Sequence, residues 1–454
     1  MPDPIEPTPS APRPDKTARD NRRSALTNLS NLFTGQSARS GYIAGADQAI
    51  ISVANFLATI ILARNITPTE LGVYGVGFVT LRLIRAVQEG LVVQPLNVFG
   101  AAMEEDDFRS YASSNLLIQL GLAICAAMAV AIGGIVLTKL GNDTAGPALY
   151  ALWFVFLTWQ VQEFLRRVFY TRGMVPYALV NDFIANLTRL VLLLWWSGQG
   201  ALNGAAGLNA IAWGSFVAIV PGMWQTRSIW TRKYDNLRST LRRNWHFGRW
   251  LTGSAIANWV AIEFYPILTA GLVSFAAAGA YRALQNLVAP IHTILRAADT
   301  FFTPRAARLY RQLGDAALTR YLKLIYLVLG LPIAGLLGIA IVFAEPLLNL
   351  LYGEVYLEYS NGILWMVIFY ALLYAYMPLQ SIFKATERSQ PIFYANLAAI
   401  AAMSTIGTWA ITRFDVYGTL AGQALNALII SLILWGYWLR KREGDNEPPG
   451  SPTV

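Results

Sequence analysis

Residues 118–136 read IQLGLAICAAMAVAIGGIV, a run with one polar side chain, Gln119, and no charge. As a helix, such a run rises roughly 30 Å, enough to cross the hydrocarbon core of a bilayer. A second run, LKLIYLVLGLPIAGLLGIAIVF at 322–343, repeats the signal with a single lysine near its start. Outward from these two, comparable apolar windows recur along the chain. They predict helices at 42–63, 71–99, 112–138, 146–168, 175–197, 204–225, 247–272, 277–303, 321–344, 361–383, 391–412 and 417–439. The 454-residue chain is 55% hydrophobic and only 13% charged, which soluble domains of this length are not. The expected fold class is an all-α membrane protein of about twelve transmembrane helices.

The first apolar window opens near Gly41, after a Pro-rich polar segment and a basic one. A cleavable signal sequence places its apolar region nearer the start, so none is expected. Segments 1–40 and 441–454 are expected to be disordered cytoplasmic tails, because Pro and polar side chains bury too little surface to offset chain entropy. One cysteine, Cys125, and two histidines, His246 and His292, allow no intrachain disulfide and predict no Cys/His metal site. There is no GxxxxGK[ST] phosphate loop. No cofactor and no catalytic residue is therefore expected, and the driving force is sought in a proton or Na⁺ gradient or in the substrate's own gradient.

Basic residues sort by side. One set of connections holds Arg166, Arg167 and Arg172, then Arg227 to Arg243, then Arg305, Arg308, Arg311, Arg320 and Lys323; the other holds little beyond Arg64, Lys139 and Arg413. Lys and Arg near helix ends stay cytoplasmic, so both termini are expected inside, in an inner membrane. The net charge of +9 then reads as topology and affinity for anionic headgroups, not as a nucleic-acid footprint. The basic stretch 227–246 divides a lobe at 41–226 from one at 247–440, six helices each. Their sequences echo one another. Phe169-YTRGMV-Pro176-YALV-Asn181 is matched by Phe383-KATERSQ-Pro391-IFYA-Asn396, and Ser52-VA-Asn55-Phe56 with Leu71-GV-Tyr74 by Ser254-AIA-Asn258-Trp259 with Ala278-GA-Tyr281. Two such lobes that rock about a central site are a common transporter plan.

Ionisable groups inside a span normally face a partner or a water-filled cavity, since each costs about 2.5–3.5 kcal/mol at the bilayer centre. The second span carries Arg82, Arg85 and Glu89 on one stripe; the fifth, Asp182, Asn186 and Arg189; the eighth, Arg282, Gln285, His292, Arg296 and Asp299. The first adds Asp47, Gln48, Ser52 and Asn55, and the seventh Ser254, Asn258 and Glu263. Continuous polar stripes on apolar helices predict a lumen. Arg82, Arg85, Arg282 and Arg296 are the candidates for binding an anionic substrate, because guanidinium donates bidentately to phosphate oxygens. Asp47, Glu89, Asp182, Glu263 and Asp299 are candidates for ion coupling. Glu263 is preferred, having no basic neighbour at i±3 or i±4. A plainer reading stands beside this one. Arg85–Glu89 neutralise themselves, Asp182–Arg189 do so through neighbouring helices, Arg282 and Arg296 snorkel to headgroups, and His292 merely packs. Aromatics at Trp153, Phe154, Phe156 and Trp159, and at Trp365, Phe369, Tyr370, Tyr374 and Tyr376, suit sugar stacking or ordinary helix packing and interfacial belts.

The segment Asp47-QAIISVANFLATIILAR-Asn65-ITPTELGVYG resembles the opening of Wzx- or PST-type polysaccharide transporters of the multidrug/oligosaccharidyl-lipid/polysaccharide (MOP) exporter superfamily. Phe247-GRWLTGSAIANW and Gly279-AYRALQNLVAP are similar to the start of that family's second half. The resemblance, over 41 to about 440, implies a two-lobed flippase that moves undecaprenyl-diphosphate-linked repeat units to the periplasmic face by alternating access. It implies as partners the lipid-linked substrate, membrane lipids, a polysaccharide polymerase and a chain-length regulator. The related lipid II flippases place Arg and Asp on helices one, two and eight. Here Asp47, Arg82 or Arg85, and Arg282 match, without an Arg adjacent in sequence to Asp47. Competing readings are an ion-coupled multidrug antiporter on the same architecture, a polytopic polymerase or ligase, and an uncoupled scramblase.

Overall fold

The computed structural model describes residues 36–232, 237–386, 388 and 390–444. Of the expected tails at 1–40 and 441–454, residues 1–35 and 445–454 lie outside them, as do positions 233–236 of the basic linker, whereas 36–40 and 441–444 are helical, continuing the first and last spans. In the first half, α1 is Gln36–Asn65, α2 Pro68–Gln88, α3 Glu105–Lys139, α4 Ala145–Thr171, α5 Val175–Gly198 and α6 Gly204–Gln225. In the second, α7 is Leu237–Glu263, α8 Tyr265–Leu272, α9 Phe275–Leu287, α10 Ala289–Val342, α11 Ala344–Tyr352, α12 Gly362–Ala385, α13 Gln390–Ala402 and α14 Thr408–Gly444. Much of the expected basic linker is thus the first turns of α7.

Among the described residues seven helices are long and apolar enough to cross a membrane, or eight if the bent pair α7 and α8 is one span. The shortfall from twelve has local causes. Residues Gln390–Arg440 pass as one unit although Asp415, at φ 55°, breaks the helix within it. In α2 and α4, Arg82, Arg85, Glu163 and Arg166 lower the hydropathy, and α9 has only 13 residues. The expected helix at 277–303 is divided between α9 and α10 at Val288, just before Pro290, which lacks the N–H to continue the ladder. The count is consistent with twelve crossings, and the chain is a multi-pass membrane protein.

Packing repeats between the halves. In the first, α3 packs on α4, α4 on α6, α5 on α6 and α1 on α5; in the second, α10 packs on α12, α12 on α14, α13 on α14 and α7 on α13. The packing thus forms two lobes, one from each half of the chain. Their outer surface is apolar: Leu327 and Leu331 on α10 are 77% and 82% exposed, as side chains facing lipid are.

Two breaks shape the interior. Between α7 and α8 the chain bends by 53°, where Pro266 removes a donor and crowds the carbonyl of Ile262. Gln423 donates to that carbonyl at 3.4 Å and Asn426 to the carbonyl of Ala261 at 2.8 Å. Inside a bilayer an unmet carbonyl costs several kcal/mol, so these α14 amides hold the bend and with it Glu263, at its corner. The second break is a pair of π-helical turns, Glu89–Val93 and Leu96–Gly100, that extends α2.

At one end the lobes are sealed. There α2 crosses α9 so closely that a Cβ on Gly72 would lie 1.7 Å from the Phe275 carbonyl oxygen, and one on Gly279 2.0 Å from that of Pro68. Arg64 adds hydrogen bonds from α1 to the carbonyls of Leu350 and Leu351 at the C-terminal end of α11, where the helix dipole favours a cation.

Candidate functional site: a charged cavity between the lobes

A cavity of about 590 Å³ lies between the lobes, walled by α1, α2, α4, α5 and α6 on one side and by α7, α9, α10 and α12 on the other. Helical periodicity aims Arg82, Arg85 and Glu89 into it from α2, and Asp182, Asn186 and Arg189 from α5. Glu263, Arg282, Gln285, His292 and Arg296 line it from the other lobe, and Gln48, Ser52, Asn55 and Asn258 also face it. Two candidates do not. Asp47 is fully buried behind the N-lobe wall. Asp299 lies between α10 and α12, bonded to Ser381 and Thr303, with Lys384 at 3.4 Å. Ser254 is exposed away from the cavity.

The N-lobe wall is a closed charge network. Arg166 Nη2 donates to Asp47 Oδ2 at 2.6 Å, and the Tyr170 hydroxyl donates to the same oxygen at 2.7 Å. The guanidinium also sets Nε 2.6 Å from Asp182 Oδ2 and Nη1 3.4 Å from Glu163 Oε1. Glu163 meets Arg167 at 3.0 Å and Arg85 at 3.6 Å, while Glu89 meets Arg167 at 3.6 Å. The Arg85–Glu89 pair expected within α2 is therefore not formed: Arg85 pairs with Glu163 and Glu89 with Arg167. Asp182 is neutralised from a neighbouring helix, by Arg166 of α4, while Arg189 meets no acid among the described residues. The cation that the sequence does not place next to Asp47 comes from α4. Sequence reasoning counted Arg166 and Arg167 as cytoplasmic loop charges. The signal for a buried role was Glu163 three and four residues before them, inside an apolar span.

The C-lobe wall reaches across the gap. Glu263 Oε2 accepts from Arg82 Nη1 of the other lobe at 2.9 Å, and Oε1 lies 3.7 Å from Arg296 Nη2. The carboxylate with no basic partner on its own helix thus has two in space. Arg296 Nε donates to His292 Nε2 at 2.6 Å. Arg282 donates to Gln285 at 3.1 Å and lies over the Phe78 ring at 4.8 Å, with Arg82 over the same ring at 5.1 Å. Arg189 donates to Asn55 at 2.7 Å and to the Tyr74 hydroxyl. Of the aromatic clusters, Trp159 and Tyr370 line the cavity, whereas Trp153 and Trp365 are partly exposed on the outer faces of their helices.

Seven arginines and four carboxylates line the cavity among the described residues, an excess suited to an anion of two or more charges. Exposure rises along it, from Arg282 at 8% to the side chains of Arg82 at 35% and Arg296 at 53%. The cavity is closed near the glycine crossing and open at the other end. No cluster of His, Cys, Asp or Glu suited to a metal ion occurs among the described residues.

A family model described as "Polysaccharide biosynthesis protein" matches residues 61–361. The chain belongs to this family. No curated protein matches the sequence. Among solved structures, an inward-facing multidrug resistance MATE family transporter of the MOP superfamily is similar at TM-score 0.72 and 14% identity, over 88% of this chain and 96% of that one. The lipid II flippase MurJ in an inward closed conformation is similar at TM-score 0.67 and 14% identity, over 87% of each chain. A MOP superfamily transporter from Pyrococcus furiosus with a binding pocket of reversed polarity gives TM-score 0.63 and 13% identity, over 92% of this chain and 98% of that one. The fold is that of MOP superfamily transporters, as the resemblance in the sequence implies.

Proposed function

We propose that this family member is a flippase carrying undecaprenyl-diphosphate-linked oligosaccharide repeat units from the cytoplasmic to the periplasmic face of the inner membrane, for O-antigen, capsule or exopolysaccharide synthesis. The observation that carries the reading is the arginine excess in a cavity shared by two lobes of a polysaccharide biosynthesis protein. A diphosphate stripped of water needs several fixed donors, and Arg82, Arg85, Arg282 and Arg296 supply them. An antiporter for organic cations would be poorly served by such a wall. In this reading the termini are cytoplasmic, the cavity opens to the cytoplasm, and the lobes at 41–226 and 247–440 rock to expose it to the periplasm. Proton or Na⁺ coupling runs through a carboxylate of the cavity region, and a polymerase with its chain-length regulator receives the repeat units.

The test is complementation of a flippase-null strain with the Arg82→Ala/Arg282→Ala double variant. Expected are loss of surface polysaccharide and accumulation of lipid-linked repeat units on the cytoplasmic leaflet. A variant made at normal abundance that restores polysaccharide rejects the reading. Efflux of an organic cation by the wild-type chain in a pump-deficient strain supports the antiporter instead.

A further inference from the structure

We propose that Arg189 and Arg282, with the Tyr74 hydroxyl beside Arg189, form a two-lobe anion subsite at the closed end of the cavity that grips the substrate's diphosphate. The inference rests on the flippase reading and locates the anion within the cavity, at an arginine that the sequence places on the polar stripe of the fifth span.

Most of the cavity's arginines are already neutralised. Arg82 and Arg296 share Glu263; Arg85, Arg166 and Arg167 share Glu163, with Asp47, Asp182 and Glu89 adding to the balance. Among the described residues Arg189 and Arg282 form no ion pair, and they are among the most buried, at 4% and 8% exposed. Both line the cavity, and the Nε of each has no hydrogen-bond partner. Their other contacts hold them without cancelling their charge. Arg189 is fixed by the neutral oxygens of Asn55 and Tyr74, and Arg282 by Gln285 and the Phe78 ring. The excess of the whole cavity is therefore concentrated on these two.

The pair also bridges the lobes. Arg189 stands on α5 and Arg282 on α9, and both line the one cavity, Arg189 against the Tyr74 hydroxyl and Arg282 alongside Gly75, the next residue of α2. A Cβ on Gly75 would stand in ordinary van der Waals contact with Arg282 Cγ, at 3.4 Å. Arg282 is one turn beyond Gly279, where α9 touches α2, so an anion bound here sits just beneath the seal. Two like charges buried without a counterion are costly, and arginine cannot relieve the cost by losing its proton. A mobile dianion meets both with bidentate geometry, and no acidic side chain among the described residues does.

The probe is farnesyl diphosphate, titrated onto the full chain in phosphatidylcholine nanodiscs. Arg189→Gln and Arg282→Gln are each expected to weaken binding roughly tenfold or more, Arg189→Lys nearly as much, and Arg167→Gln, at an arginine paired with Glu163 and Glu89, less than about threefold. Inorganic pyrophosphate should compete, and replacing phosphatidylcholine by phosphatidylglycerol should weaken binding by less than about threefold. Where Arg189→Gln does not fold, Tyr74→Phe stands in, with a smaller loss in the same direction. Near-wild-type affinity of Arg189→Gln and Arg282→Gln, beside a large loss in Arg167→Gln, overturns the subsite and leaves the flippase reading intact. Equal suppression by phosphatidylglycerol reassigns the pair to ordinary headgroup binding. A wild-type chain that binds no prenyl diphosphate overturns both readings.

Discussion

The two walls of the cavity handle charge differently. In the N lobe, Arg166 of α4 reaches Asp47 on α1 and Asp182 on α5 at 2.6 Å each, and the balance is struck inside the lobe, these three side chains being no more than 10% exposed. In the C lobe, Glu263 is satisfied by Arg82 across the gap, and Arg282 meets no acid among the described residues. One network holds a lobe together whatever its partner does. In the other, the Arg82–Glu263 pair exists only while the lobes sit as they do here, and Glu263 otherwise keeps only Arg296 of its own lobe, at 3.7 Å. Substitutions in the first should therefore act on folding, and in the second on conformation and transport.

The largest effect is expected at Arg166. Arg166→Met leaves Asp47, Asp182 and Glu163 buried without their shared cation, a loss of about 3–5 kcal/mol. The outcome expected is little folded protein, read as a collapsed melting transition in detergent and low membrane abundance. Adding Asp47→Asn and Asp182→Asn removes most of the stranded charge and should recover folded protein. If Arg166→Met alone melts like the parent, the N-lobe network is not structural and the contrast between the walls fails.

This contrast was only partly legible in the sequence. Apolar windows and polar stripes identify membrane helices and the cavity faces of α2, α5 and α10, because both signals are local and periodic. Asp47 and Asp299 belonged to the same stripes, yet one is sealed behind Arg166 and the other turned toward Ser381 and Lys384. A stripe fixes the side of a helix, not which neighbour stands there. The pairs Arg82–Glu263 and Arg166–Asp47 join residues more than a hundred positions apart, and no spacing rule reaches that far. The bend that presents Glu263 was signalled by Pro266, but the amides that stabilise it, Gln423 and Asn426, come from α14 at the far end of the chain.

A middle-sized effect is expected at the glycine seal. In Gly279→Ala the new methyl must displace the Pro68 carbonyl, which stands 2.0 Å from its position; overpacking of this kind costs about 1–3 kcal/mol. The strain exists only when α2 and α9 cross, so it should favour the opposite conformation and leave the fold intact. A cysteine placed at Asn286, on the closed side of the cavity, should then react faster with a membrane-impermeant thiol reagent in a chain lacking Cys125. Unchanged reactivity together with a lowered melting temperature would mean the crossing is part of the fixed scaffold.

The smallest stability effect is expected at Glu263. Its pair with Arg82 is partly solvated, with side chains 19% and 35% exposed, and such pairs contribute about 1 kcal/mol or less. Glu263→Gln should melt close to the parent. Transport is a different matter, because the pair joins the lobes and its loss acts on the difference between conformations. Freed of Glu263, Arg82 and Arg296 add positive charge near the mouth, so a diphosphate should bind more tightly and leave more slowly. A shift of about 1 kcal/mol between conformations corresponds to roughly fivefold in rate. Flipping of a fluorescent prenyl-diphosphate sugar in proteoliposomes should fall by about that factor, and its response to an imposed proton or Na⁺ gradient should weaken if Glu263 is the carboxylate that is alternately neutralised. Should both the rate and the gradient dependence match the parent, Glu263 is a structural partner of Arg82, and the coupling candidates left are Asp47, Glu89, Asp182 and Asp299.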